Sequence, residues 1–215
     1  MITIQQKYEV LRDSDSRYFI VSGGRASGKS FNISVLILLL TFEKEHTILF
    51  TRYTLTSASI SIIPEFLEKI ELLDLVSYFH ITKDEIINKV TGSKIIFKGI
   101  KTSSGDQTAS LKSIQGVNTW VLEEAEELTD EKKFDTIDFS IRSNKNQNRV
   151  ILILNPTTKE HFIYKRFFED RGVQEGSNIT KGDTTYIHST CFPNSPIFQF
   201  VKITPSALSN HPPKI

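Results

Sequence analysis

Short, predominantly apolar runs recur along the chain, each stopped by polar or glycine-rich residues. Arg17-Tyr18-Phe19-Ile20-Val21, Thr47-Ile48-Leu49-Phe50-Thr51, Thr119-Trp120-Val121-Leu122 and Arg149 to Leu154 (RVILIL) are aromatic and β-branched, so they read as buried strands. Thr184 to Ser189 reads as a last strand. Between them, Phe31 to Phe42 (FNISVLILLLTF) is an apolar helix candidate. Ser57 to Leu73 has helical spacing, with Pro64 marking a kink or a helix start. Asp130 to Arg142 reads as a helix capped by Thr129 or Asp130, and Glu160 to Asp170 as another. Ile86 to Val90, the turn Thr91-Gly92 and Ser93 to Lys98 read as a β-hairpin, and Gly99 to Ser113 as a polar loop. Strands alternating with helices predict an α/β chain with a mostly parallel central sheet covered on both faces.

Ligands of such sheets bind at the carboxyl ends of the strands, and the chemically suggestive residues fall there. Residues 21–30 read VSGGRASGKS. Gly23, four intervening residues and Gly28-Lys29-Ser30 match the phosphate-binding loop pattern, in the strand–loop–helix setting it requires. Gly23, Gly24, Arg25, Ala26, Ser27 and Gly28 would wrap backbone N–H groups around an anion. Lys29 would neutralise the β- and γ-phosphates of ATP, and Ser30 would hold Mg²⁺. A plain glycine turn is the bland alternative.

Two carboxylates follow a buried strand directly. Glu123 suits the metal, through water, and Glu124 suits orienting and polarising the attacking water. The alternative, an acidic helix start, describes Glu126 and Glu127 well. Arg25 would bring a guanidinium to the γ-phosphate unless it is a surface arginine. Arg142 is a second candidate for that work across a subunit interface, or a simple helix C-terminal cation. Asn155, ending a strand expected beside the one carrying Glu124, would read the γ-phosphate or hold the water; the alternative is an Asn-Pro turn.

The 215 residues allow one sizeable domain or a domain with a short tail. The longest apolar stretch, Ser34 to Phe42, is about half of a bilayer crossing, so no membrane partner is expected. MITIQQKYEV lacks the pattern of a signal peptide, and the lone Cys191 excludes an internal disulfide and a cysteine-rich zinc site, so a cytosolic chain is expected. The net charge of +1 carries no whole-chain signature of nucleic-acid binding. Between Arg142 and Lys181, however, eight basic residues (Arg142, Lys145, Arg149, Lys159, Lys165, Arg166, Arg171, Lys181) face four acidic ones, a candidate for phosphate contacts or merely a solvated face.

Taken together, GGRASGKS, FKGI, LKSIQGVNTWVLEEAEEL and ILILNPTTKEHFIYKRFFE resemble the ATPase domain of the large terminase subunit of tailed bacteriophages, over about residues 7–190. The resemblance implies a P-loop NTPase three-layer sandwich of the additional-strand type, here with a β-hairpin insertion. It implies ATP and Mg²⁺ as cofactors, and a ring of subunits at the portal vertex of the procapsid, in the cytoplasm of the bacterial host. There ATP hydrolysis would drive double-stranded DNA into the head, with the portal protein and the small terminase subunit as partners. Asn155 to Thr157 correspond to the family's coupling motif, and Gln6 and Tyr8 are the nearest candidates for its adenine contacts. Residues 1–190 would form the ATPase domain. Residues 191–215 read as an irregular, proline-rich tail rather than the metal-binding nuclease into which large terminases continue, so nuclease activity is not expected. Another P-loop DNA motor, such as a helicase or recombination ATPase, and an inactive ATP-binding remnant remain as alternatives.

Overall fold

The computed structural model describes residues 2–54, 58–102, 105–190 and 200–203. In chain order its elements are β1 (Ile2–Gln5), α1 (Val10–Asp13), β2 (Tyr18–Gly23), α2 (Lys29–Leu40), β3 (Thr47–Thr54), α3 (Ala58–Leu72), β4 (Phe79–Ile81), β5 (Glu85–Asn88), β6 (Lys94–Thr102) and β7 (Gly105–Asp106). There follow α4 (Thr108–Lys112), β8 (Thr119–Glu123), α5 (Glu131–Asp138), β9 (Arg149–Leu154), α6 (Phe162–Tyr164), β10 (Ile179–Lys181), β11 (Thr184–Ser189) and β12 (Phe200–Ile203).

The apolar runs become a parallel sheet in the order β11-β2-β9-β8-β3-β6. Antiparallel strands extend both edges, β10 beside β11 and the β5–β4 pair beside β6. Every residue of β8 and β9 is buried, as a strand covered on both faces demands. Alternation sends Phe19 and Val21 into one core with Leu11, α2 and Phe66, and Ile20 into a second core with Phe134, Phe162 and Phe167. The three-layer sandwich is therefore real. Strand β9 lies between β2 and β8, which is the additional-strand arrangement. Helix α2 is apolar on all sides because it is enclosed on all sides, buried continuously from Asn32 to Leu40.

The hairpin forms, with Ile86 opposite Ile95, and strands 149–154 and 184–189 have the expected bounds. Other elements depart from expectation. Pro64 sits inside α3 rather than at its start, where its missing N–H costs the helix one bond. The stretch read as a polar loop carries the end of β6, then β7 and α4. Helix α5 begins under the Asp130 cap, whose carboxylate accepts from the Lys132 and Lys133 amides, but ends at Asp138 instead of Arg142. Beyond it Ser140 and Ile141 bond back only three residues, tightening the last turn. The helix expected over 160–170 splits into α6 and a π-helical turn over Lys165–Glu169. In the stretch read as an irregular tail, β12 pairs antiparallel with β1, Ile2 opposite Ile203. The rest of 191–215 lies outside the described residues.

Candidate functional site

Sheet order decides which strand ends meet. Because β9 separates β2 from β8, the phosphate-loop sequence after β2, Asn155 after β9 and Glu123 at the end of β8 stand side by side. They line a cavity of about 520 Å³ at the carboxyl edge of the sheet.

The loop's glycines are required where the backbone demands them. Gly23 has φ 151°, and a Cβ there would lie 2.1 Å from the Ser189 carbonyl oxygen. Gly28, the N-cap of α2, is left-handed at φ 78°, and Ala26 shares that region at φ 58° without glycine's freedom. Lys29 is buried and reaches back into its own loop, donating to the Gly23 carbonyl at 2.7 Å and the Gly24 carbonyl at 2.8 Å. Its ammonium is also 3.3 Å from Asn155 Oδ1. Ser30 sits in the first turn of α2, and exposed Arg25 borders the same cavity.

Opposite the loop are the carboxylates. Glu123, buried, accepts from Arg52 Nε and Nη2, both at 2.8 Å. Register explains the pair, since Arg52 of β3 lies directly beside Glu123 of β8. The same guanidinium is 3.8 Å from Glu65 of α3. Glu124 follows in a left-handed conformation, φ 53°, which turns the chain sharply at the strand's end. Burial raises the Glu124 carboxyl above its ordinary pKa; Arg52 opposes this, and the charges of Glu127, Glu123 and Glu126 add to it. Five carboxylates, Glu65, Glu123, Glu124, Glu126 and Glu127, thus face three cations, Arg25, Lys29 and Arg52, around one cavity. A polyphosphate would enter such a field only with a cation to offset the excess.

Asn155 is held from both sides, with its Nδ2 donating to Glu126 Oε1 at 2.6 Å. The Glu126 carbonyl in turn lies 3.1 Å from His161 Nε2.

The structure therefore gathers residues 25–30, Glu123, Glu124 and Asn155 at one cavity. It does not bring Arg142 there. Residues 138 and 141 accept hydrogen bonds from Arg17, just before β2, so Arg142 lies exposed at the opposite edge of the sheet. No role in its own chain's cavity is open to it. Tyr8 is fully buried in the core and Gln6 is exposed on the N-terminal segment; neither lines the cavity. The basic stretch is also thinner than it reads. Arg149 is buried, Lys145, Arg166 and Arg171 are paired with acids, and Lys181 donates to backbone carbonyls. Arg142, Lys159 and Lys165 remain exposed.

Sequence reading assigns no role to Arg52 or Glu65, and it gives Glu126 to a helix start. The one available signal is Arg52 itself, a cation ending a buried strand at the ligand-binding edge. Asn32 also escapes a sequence reading. It lies one turn into α2, accepts from the Gln5 amide at 2.8 Å and donates to the Gly28 carbonyl at 2.7 Å, tying the N-terminal segment to the phosphate loop.

Against known proteins, the family model described as phage terminase large subunit matches residues 15–201. The PBSX phage terminase large subunit of Bacillus subtilis (strain 168) is 28% identical over 191 residues, covering 84% of this chain and 43% of that protein. The chain spans less than half the length of the curated relatives it matches. Among solved structures, the large terminase of a thermophilic bacteriophage superposes with a TM-score of 0.67 at 13% identity, over 87% of this chain and 46% of that one. That protein is also known in complex with ATP-γ-S and with ADP. The ATPase domain of the Thermus phage P74-26 large terminase gives 0.60 at 18% identity, over 86% and 80% of the two chains. These likenesses establish a shared fold.

Proposed function

The chain belongs to the phage terminase large-subunit family, and from that premise we propose that it is an ATP-hydrolysing motor domain that drives double-stranded DNA into a procapsid. The observation that carries this reading is the single cavity in which phosphate loop, paired carboxylates and Asn155 converge from adjacent parallel strands. Nucleotide would replace the loop carbonyls as the partner of Lys29, whose charge then serves the β- and γ-phosphates. Arg25, on the cavity border, adds a second cation where charge develops in the transition state.

Ser30 and Glu123 would hold Mg²⁺. The fit is that of a hard cation: hydroxyl and carboxylate oxygens border a cavity with excess negative charge. Among the described residues no three His, Cys, Asp or Glu side chains converge on a metal, so phosphate and water oxygens would complete its shell. When bound, Mg²⁺ supplies charge neutralisation across the β- and γ-phosphates. Glu124, its carboxyl pushed upward by burial, would polarise the attacking water. Asn155, 3.3 Å from the Lys29 ammonium, would register the terminal phosphate through it.

The larger assembly belongs to the same proposal. A homo-oligomeric ring, with the portal protein and the small terminase subunit, would work at the portal vertex in the host cytoplasm. Among the described residues no helix is long and apolar enough to cross a membrane. Arg142, exposed and remote from its own cavity, retains only a role in a neighbouring subunit. Duplex contacts would go to phosphates, so one subunit should bind unrelated short duplexes at about 10⁻⁴ to 10⁻⁶ M or more weakly, with steep loss in salt. The deciding experiment is nucleotide binding and turnover. Lys29→Ala should abolish Mg-ATP binding in a folded chain, and Glu124→Gln should retain ATP but stop hydrolysis. Unchanged ATP affinity and turnover in Lys29→Ala would remove the motor reading, and normal turnover in Glu124→Gln would overturn the role given to Glu124.

A further inference from the structure

The Asn155 amide stands between two partners that allow it one orientation. Lys29 Nζ, 3.3 Å from Oδ1, can only donate, and Glu126 Oε1, a carboxylate oxygen 2.6 Å from Nδ2, accepts. Rotating the amide by half a turn would set N–H against ammonium and oxygen against carboxylate, losing both contacts. Glu126 is itself pinned. Its Oε2 is shielded from solvent and, among the described residues, has no hydrogen-bond partner, so Asn155 is the donor that its carboxylate meets there. Its backbone carbonyl faces His161 Nε2 at 3.1 Å, while His161 Nδ1 accepts from the Ile163 amide at 3.2 Å. Those two contacts place the ring proton on Nε2, so the imidazole donates to Glu126. His161 is also the N-cap of α6, the first element after the Asn155 turn.

We propose that Glu126 is the positioning residue of this site: it orients the Asn155 amide so that its oxygen meets the phosphate-loop lysine, and through His161 it ties that amide to the segment beginning α6. The proposal rests on the nucleotide-site reading above. It separates the acids of the EEAEE run by task. Glu123 is engaged by Arg52, Glu124 borders the cavity with a raised pKa, and Glu126 acts on Asn155. It also provides a physical link by which replacement of the Lys29 contacts would be felt beyond β9. When Lys29 turns from its loop carbonyls to a phosphate, the Oδ1 contact changes, and Glu126 keeps the amide from rotating as it does so.

The test is a reciprocal swap in the full 215-residue chain, read as ATP affinity and turnover separately. Glu126→Gln lets the facing side chain either donate or accept, so only the longer Lys29 contact still biases the Asn155 amide. Turnover should fall roughly tenfold, the equivalent of one hydrogen bond, with ATP affinity changed by less than about threefold. Asn155→Asp alone sets two carboxylates together and should reduce turnover at least as much. With both substitutions the bond re-forms with reversed polarity, the new amide donating to the new carboxylate, and oxygen still faces Lys29. Turnover of the double variant should then exceed that of Asn155→Asp by roughly tenfold. A purely structural role would lower stability without this selective rescue of turnover. Multiplicative losses in the double variant, or unchanged turnover in Glu126→Gln, would overturn the inference while wild-type activity upholds the nucleotide site. A wild-type chain that fails to bind and hydrolyse Mg-ATP would overturn that site reading, and this inference with it.

Discussion

Arg52 governs the charge balance of the carboxylate side of the cavity. It pairs with buried Glu123, reaches toward Glu65 and lowers the Glu124 pKa against the burial that raises it. Removing the cation disfavours the ionised form of Glu124 further. In the proposed mechanism turnover requires that form, so the acid limb of the pH–rate profile of Arg52→Met should move to higher pH than in the wild type. The same variant should lose about 2–3 kcal/mol in urea unfolding, because Glu123 is left buried without its partner. An unmoved acid limb would show that Arg52 does not act on the carboxylate proposed to polarise the water. At Gly23 the constraint is steric. An added methyl group would meet backbone at 2.1 Å, so Gly23→Ala should cost roughly 3 kcal/mol or more and abolish ATP binding, which equilibrium unfolding and a nucleotide titration would report.

Helix α2 acts as more than the wall behind the phosphate loop. Its first turn presents Lys29 and Ser30, its next buries Asn32, and everything after that packs against the sheet, α1, α3 and β1. Asn32 is buried there with Ser34, and both halves of its amide are used: one on Gly28, the left-handed residue that starts the helix, one on Gln5 at the end of β1. Replacement by Ala would leave the Gln5 amide without its partner, costing about 1–3 kcal/mol, while the Gly28 carbonyl keeps the backbone amide of residue 32. The loss should be local as well as global. Hydrogen exchange at the Gln5 amide should accelerate in Asn32→Ala, and ATP affinity should fall because the loop has lost its brace. Retention of both properties would show that the N-terminal segment and the phosphate loop are held independently.

Across the whole molecule, ligand binding and stability are coupled through the cavity's excess of acids. Mg-ATP at about a hundred times its Kd should add about 2.7 kcal/mol to the folded state. For a chain of this size that is a rise in Tm of roughly 5–11 °C. ATP in the presence of EDTA should give a much smaller rise, because phosphates then meet five carboxylates without a divalent cation between them. An equal shift with and without Mg²⁺ would contradict the proposed use of Ser30 and Glu123.

What the sequence determined by itself was local. The phosphate loop is legible because its conformation is set by adjacent residues: glycines where φ is positive, a lysine and a hydroxyl at the helix start. Strand β9 is legible to the residue because an apolar run such as VILIL is satisfied only by burial on both faces, and β11 (TTYIHS) because β-branched and aromatic residues fit a pleated, buried surface. Strand logic places Asn155 beside the carboxylates, and the sheet puts it there. Tertiary structure decided everything that depends on which strands become neighbours. Arg52 meets Glu123 across 71 residues of chain, a relation created by parallel register alone. Glu126 has the composition of a helix-start acid, and only the placement of β9 between β2 and β8 brings Asn155 to its carboxylate. Arg142 shows the converse. Its charge and position suggest a catalytic cation, but α5 returns the chain to the amino edge of the sheet before residue 142 is reached. Charge is a property of the residue; the field it contributes to is a property of the fold.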